Sequence, residues 1–249
     1  MITTKTRIVQ TVGALLLAGG LFIPAAAAQA QTLDEIIEAS LEAAGGREAM
    51  ARITSVKRTG TFTMSTDFGD IEGDTEVVII PNQKVYQKLD SDMFQQTGAW
   101  NGTTAWQTDP LQGGVTDVEG QQAEILSGQT LLHFFLPYNT PGAGEYRKLD
   151  DSEVGGRPHH VVGLATGTLE IEVFVDAETK LISQISFETD MPQIGTVKIT
   201  GGYSEYEEYN GAMLATRTSL EIPGFATIDT RFTTTEINVE VDHTIFEKP

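Results

Sequence analysis

The sequence predicts a mainly β protein: one antiparallel sheet covered by an N-terminal helix and a mid-chain helical segment. Three observations predict it. Residues 167–189 alternate around a tight polar turn, with Leu169, Ile171, Val173 and Val175 on one face and Glu170, Glu172 and Asp176 on the other. Asn101-Gly102 and Asn210-Gly211 are hairpin signals between alternating segments. Thr32-Leu33-Asp34-Glu35 is a capping box ahead of a helical apolar stripe. A lone hairpin with one apolar face is marginal in water, so the pair at 167–189 belongs to a larger sheet whose apolar face is covered.

Each element follows in chain order. Lys5 and Arg7 precede an apolar run over 8–23, then Pro24 and Ala28-Gln29-Ala30, the pattern of a bacterial secretory signal cut before Gln31. Residues 1–30 are therefore expected to be removed on export to the periplasm, leaving 31–249 as one domain. No later stretch reaches the ~20 apolar residues that span a bilayer. Leu33, Ile36, Ile37, Leu41 and Ala44 form the helical stripe, Gly45-Gly46 ends it, and a second short helix covers 47–53. From Val56 the period becomes two: Phe62 and Met64 alternate with threonines, and strands are expected over 69–80, 84–89, 93–100 and 103–108. Residues 110–114 are a loop. The run 118–135 is read as one or two helical pieces carrying Ile125, Leu126, Leu131, Leu132, Phe134 and Phe135, a second cover for the sheet. Strands resume at Tyr146 and continue over 159–165, the opening hairpin with Leu181, Ile185 and Phe187 on one side of its return, 195–203, 206–209, 213–222 and 226–238. About ten strands with short turns make an antiparallel meander.

Composition excludes several functions. The formal charge is −19, and loss of Lys5 and Arg7 with the signal makes it −21, which repels nucleic acid and anionic membrane and attracts only a basic partner surface. There is no cysteine, hence no disulfide, no thiol nucleophile and no acceptor for a lipoprotein's own acyl anchor. Stability must come from packing, and a domain of this length buries roughly 70% of its unfolded surface. No catalytic motif occurs: Gly202-Tyr203-Ser204-Glu205-Tyr206 fails the nucleophile-elbow pattern, and there is no zincin or P-loop pattern. His159 and His160 are neighbours on a strand and point to opposite faces, so they do not share a metal; His133 reads as a structural histidine. Asp70, Glu72, Asp74 and Glu76 alternate onto one solvated strand face and do not match a calcium loop. The chain is read as a non-enzyme without metal or cofactor.

A family resemblance is carried by Ala44-Gly45-Gly46-Arg47-Glu48-Ala49, Ile80-Pro81-Asn82, Trp100-Asn101-Gly102-Thr103-Thr104-Ala105-Trp106, Val154-Gly155-Gly156-Arg157, Val175-Asp176-Ala177-Glu178-Thr179-Lys180-Leu181, Tyr203-Ser204-Glu205-Tyr206, Asn210-Gly211 and the terminal Phe246-Glu247-Lys248-Pro249. In that order these segments resemble exported proteins of the outer-membrane lipoprotein-sorting type, the LolA/LolB-like superfamily. The resemblance implies an incomplete, curved β-barrel whose open side is closed by helices, and an interior that takes acyl chains of lipoproteins or other lipids, as an envelope carrier or chaperone does. Under that implication the cavity lining is Phe62, Met64, Trp100, Trp106, Leu131, Phe134, Phe135, Leu169, Ile171, Val173, Ile185 and Phe187. No motif around Arg58 matches the cavity arginine of the carriers, and that role is not transferred. The superfamily also includes stress sensors, so the alternative is an interaction module docking an envelope protein through its acidic surface.

Overall fold

The computed structural model describes residues 31–109, 113–191 and 195–249, and in it the capping box at Thr32 forms as the sequence predicts. The Glu35 N–H donates to Thr32 Oγ1 at 3.3 Å and the Thr32 N–H to Glu35 Oε2 at 2.8 Å. This starts α1 (Leu33–Ala43), which buries Ile36, Ile37, Ser40 and Leu41. Gly45 and Gly46, with φ of 101° and 82°, reverse the chain into α2 (Gly46–Ala51). Gly45 is also required by a close approach, because a Cβ there would lie 1.9 Å from the Gly211 carbonyl oxygen. The signal expected over 1–30, and part of the loop expected over 110–114, lie outside the described residues.

The remaining elements are β1 (Val56–Thr66), β2 (Gly69–Ile80), β3 (Lys84–Ser91), β4 (Gln95–Trp100), β5 (Ala105–Thr108), β6 (Val115–Val118), α3 (Gly120–Gly128), β7 (Glu145–Lys148), β8 (Ser152–Val154), β9 (Arg157–Thr166), β10 (Leu169–Asp176), β11 (Ile182–Met191), β12 (Gly195–Tyr209), β13 (Ala212–Ile222) and β14 (Ala226–Ile237). They make a 14-stranded antiparallel sheet ordered β6-β5-β4-β3-β2-β1-β14-β13-β12-β11-β10-β9-β7, with β8 pairing β9. Its ends, β6 and β7, do not meet, so the sheet is open. β1 lies between β2 and β14, which joins the first strand to the last in the middle of the sheet.

Three local expectations change. Only Gly120–Gly128 of the run 118–135 is helical; Val118 ends β6, and the apolar residues beyond Gly128 pass through tight turns. There the Leu136 N–H donates to the His133 carbonyl and the Tyr138 N–H to the Phe135 carbonyl, both at 3.1 Å. The strands expected over 195–203 and 206–209 are one strand, β12, which pairs with β13 in a single register from Thr200↔Glu221 to Tyr209↔Ala212 although Glu205 takes φ 54°. In the opening hairpin the register shifts between Phe174 and Val175, so Ile182, not Leu181, opposes Val175 and joins the face of Ile185.

Strand alternation divides the sheet into an inner face, which α1–α3 cover, and an outer face. On the inner face Ile36, Ile37 and Leu41 pack with Phe135, Val162, Leu169, Val173, Val175, Ile182, Ile185, Phe187 and Ile199. Beside them Ala44 at the end of α1, Ala49 and Met50 of α2 and Ile53 just beyond it pack against Val56, Ala212 and Leu214. On the outer face a short 3-10 turn (His243–Phe246) lays Phe246 on Val78 and Ile80. Asp70, Glu72, Asp74 and Glu76 share that outer face on β2, as their alternation predicts, with Lys57 3.1 Å from Glu76.

Candidate functional site

The candidate site is the inner face beneath its covers, and it is built from two distant chain segments laid over the opening hairpin. Leu169, Ile171 and Val173 of β10 stand beside Ile185 and Phe187 of β11, in the pairs Ile171↔Phe187 and Val173↔Ile185. Above them sit Phe134 and Phe135 from the turns after α3, and Ile36, Ile37 and Leu41 from α1. Val173, Phe135 and Ile37 are wholly buried, so the side chains of the covers fill this part of the interior.

The sequence-selected residues divide. Phe134, Phe135, Leu169, Ile171, Val173, Ile185 and Phe187 come together in that one cluster. Trp100 lies on the inner face of β4 but packs under α3, with Ala105, Val118 and Leu126. Phe62, 1% exposed, lies over the bare backbone of Gly73 and touches Phe94, ring centroids 6.1 Å apart. Met64 is half-buried further along β1, and Leu131 is half-buried in the cover turns. Trp106 is a correction. It pairs with Ala99, the opposite face from Trp100, and its indole N–H donates to the Phe246 carbonyl at 2.8 Å on the outer side. The signal was available in the sequence: across any even-numbered hairpin loop, residues 100 and 106 fall on opposite faces.

Polar groups hold the two covers to each other. Ser40 Oγ of α1 is 3.3 Å from His133 Nε2, whose other ring nitrogen accepts the Phe135 N–H at 3.2 Å. That second bond makes Nε2 the protonated nitrogen and therefore the donor to Ser40. Burial pushes the His133 pKa down to about 4, with Arg47 adding to the shift. Arg47 donates to the Leu136 carbonyl at 2.9 Å and pairs with Glu38 at 3.0 Å, and the Tyr138 hydroxyl donates to Asp34. Anchors to the sheet are the Met213 N–H on the Ala44 carbonyl, 2.9 Å, and the Tyr146 hydroxyl on the Phe134 carbonyl, 3.1 Å.

Sequence reasoning left Arg58 without a role, and the structure shows what it does. β13 pairs with β14 only from Arg217 to Ile222, so the two strands part toward the α2 end. Arg58 crosses this split: Nη2 donates to the Ala215 carbonyl, Nε to Thr235 Oγ1 at 3.3 Å, and the guanidinium lies 3.7 Å from the Phe232 ring centroid. Among the described residues no carboxylate pairs with it, and burial lowers its pKa to about 10 against the opposing influence of Tyr209 and Tyr206. It remains a cation at neutral pH.

A serine–histidine contact also escaped the sequence. Ser183 Oγ is 2.6 Å from His159 Nε2, and His159 Nδ1 is 2.8 Å from the Arg157 carbonyl. Asp176 completes the cluster through Arg157 at 2.8 Å. With its ring 2% exposed, His159 is closed to any substrate, and the cluster ties the β10–β11 turn to β9. Among the described residues no three histidines or carboxylates are grouped to hold a metal ion. No helix among them is long and apolar enough to cross a membrane.

No family model and no curated protein matches the chain in sequence. Solved structures match in fold. A LolA superfamily protein from Nitrosomonas europaea is 14% identical with a TM-score of 0.57, over 85% of this chain and 97% of that one. An outer membrane lipoprotein-sorting protein domain from Vibrio parahaemolyticus is 12% identical at 0.53, over 84% and 97%. A DUF1329 family protein from Desulfovibrio piger is also 12% identical at 0.53, over 85% and 97%. The chain shares the fold of LolA superfamily proteins.

Proposed function

We propose that this protein is an exported, non-enzymatic carrier that holds acyl chains of lipoproteins or other lipids between the inner face of its sheet and the covers formed by α1 and residues 130–146. One observation supports this above the rest. An apolar wall of the sheet, Val162, Val173, Ile185 and Phe187, is covered by side chains of two separate segments that are bonded to each other. Lifting the covers exposes a continuous apolar strip, and an acyl chain placed there would take over the contacts of Ile36, Ile37, Leu41 and Phe135. Burial of methylenes, each worth about 0.8 kcal/mol, would supply the driving force. Export from a signal over residues 1–30, and delivery in the periplasm, are part of this reading.

The test is binding of cis-parinaric acid, a fluorescent acyl chain, to the purified protein, with mass spectrometry of any lipid that purifies with it. Saturable fluorescence is expected. Ile171→Glu, which places a charge on the half-buried edge of the strip, should weaken binding at least about tenfold. Glu172→Gln on the outer face should leave it unchanged. A wild type that neither binds the probe nor carries lipid, or a folded Ile171→Glu protein that binds normally, would remove the carrier reading.

A further inference from the structure

The most exposed large apolar side chains among the described residues are Phe68, Met93 and Phe225, at 102%, 75% and 54%. Each occupies a hairpin turn: Phe68 joins β1 to β2, Met93 joins β3 to β4, and Phe225 joins β13 to β14. In the sheet order β4-β3-β2-β1-β14-β13 these are three successive turns, and strand direction puts all three on one rim. Strands ~4.8 Å apart space neighbouring tips roughly 10 Å from each other, about 20 Å from first to last. The opposite rim differs. Its turns include Pro81-Asn82-Gln83, Asn101-Gly102-Thr103-Thr104 and Asn210-Gly211, the residues that tight turns select for their own geometry. Turn chemistry thus accounts for one rim and leaves the apolar tips of the other unexplained.

We propose that this rim docks on a zwitterionic lipid bilayer, with Phe68, Met93 and Phe225 entering the interface. A bilayer suits the geometry better than a protein surface. The tips stand singly on separate turns, whereas a stable protein interface needs a contiguous patch of about 1,000 Å² or more. An interface of lipid headgroups asks only that apolar groups reach a depth of about 5–10 Å. Charge selects the kind of bilayer. Asp67 and Asp70 flank Phe68, Asp92 adjoins Met93 and Glu221 precedes the third turn, while Asp67–Asp70, Asp92–Gln95 and Pro223–Phe225 contain no lysine or arginine. Such a collar repels anionic lipid and a second copy of itself, and meets the outermost ammonium groups of a zwitterionic leaflet favourably. The inner-face residues next to these turns, Met64, Ile71, Ile222 and Ile228, are only half-buried, so the docked edge is also one where the inner face is accessible. The proposal stands on the rim alone and does not require that the protein carry lipid.

Flotation with phosphatidylcholine vesicles tests it. The wild type should float with the vesicles, and the triple variant Phe68→Ser, Met93→Ser, Phe225→Ser should lose at least about tenfold in partitioning. All three side chains are exposed, so its thermal melt and its parinaric acid binding should match the wild type, which separates this result from the carrier assay. Doping the vesicles with phosphatidylglycerol should weaken binding, and added salt should restore it by screening the repulsion. A wild type that fails to float, a triple variant that floats equally well, or stronger binding to the anionic vesicles would overturn the proposal, whatever protein the rim captures.

Discussion

His133 shows how a single buried side chain couples the covers to pH. Its ring is neutral in the folded state because burial, aided by Arg47, lowers its pKa from 6.5 to about 4. Below about 6.5 the unfolded chain binds a proton that the folded chain refuses, so stability is fully present above that pH and is lost as pH falls toward about 4. The full shift corresponds to about 3 kcal/mol. His133→Leu should therefore show a flatter dependence than the wild type when urea midpoints are compared between neutral pH and pH near 4. Parallel pH profiles for the two proteins would mean that the ring is not desolvated. Arg58 is the counterpart at the other side of the inner face, charged throughout this range and held by a carbonyl, a threonine and a phenylalanine ring. Neither environment is written in local sequence, because Ser40 lies 93 residues from His133, and Ala215 and Thr235 lie 157 and 177 residues from Arg58.

At the level of elements, what the sequence disclosed was whatever depends on a few consecutive residues. The capping box, the two Asn-Gly turns, the exact span of β2 and the acidic outer face of that strand all follow from local pattern. What it withheld needs a partner from elsewhere. Residues 130–135 read as part of a helical run because their apolar residues are dense, yet their turns are shaped by His133 and by contacts with α1. The C-terminal segment is the clearest case. Phe246 is wholly buried on the outer face, its carbonyl receives the Trp106 indole, and Lys248 pairs with Asp117 at 2.9 Å. Nothing in the last seven residues alone announces that they strap β2, β3, β5 and β6. Phe246→Ala should cost roughly 3–5 kcal/mol and expose Trp106 to acrylamide quenching. Unchanged quenching and an unchanged unfolding midpoint would show that the strap does not bear on the sheet.

For the whole molecule, the decisive feature is the seam at which β1 meets β14. It runs from Val56↔Ile237 to Ser65↔Thr227, interrupted by one shift at Thr59/Gly60, where a Cβ on Gly60 would lie 2.0 Å from the Arg231 carbonyl oxygen. The strands before and after it are two meanders, each paired mostly with near neighbours in sequence. A chain ended before Ala226 would keep both meanders but leave β1 and β13 with unpaired edges on apolar strands, a state prone to edge-to-edge association. Such a truncation should collect in the insoluble fraction; a soluble monomer with the wild-type melting temperature would show that the seam is dispensable. The seam also dictates a timetable. Pairings between residues this far apart form slowly, because the intervening chain must be gathered first. A polypeptide that emerges N-terminus first delivers β1 long before β14, so the seam closes only after every strand between them has emerged.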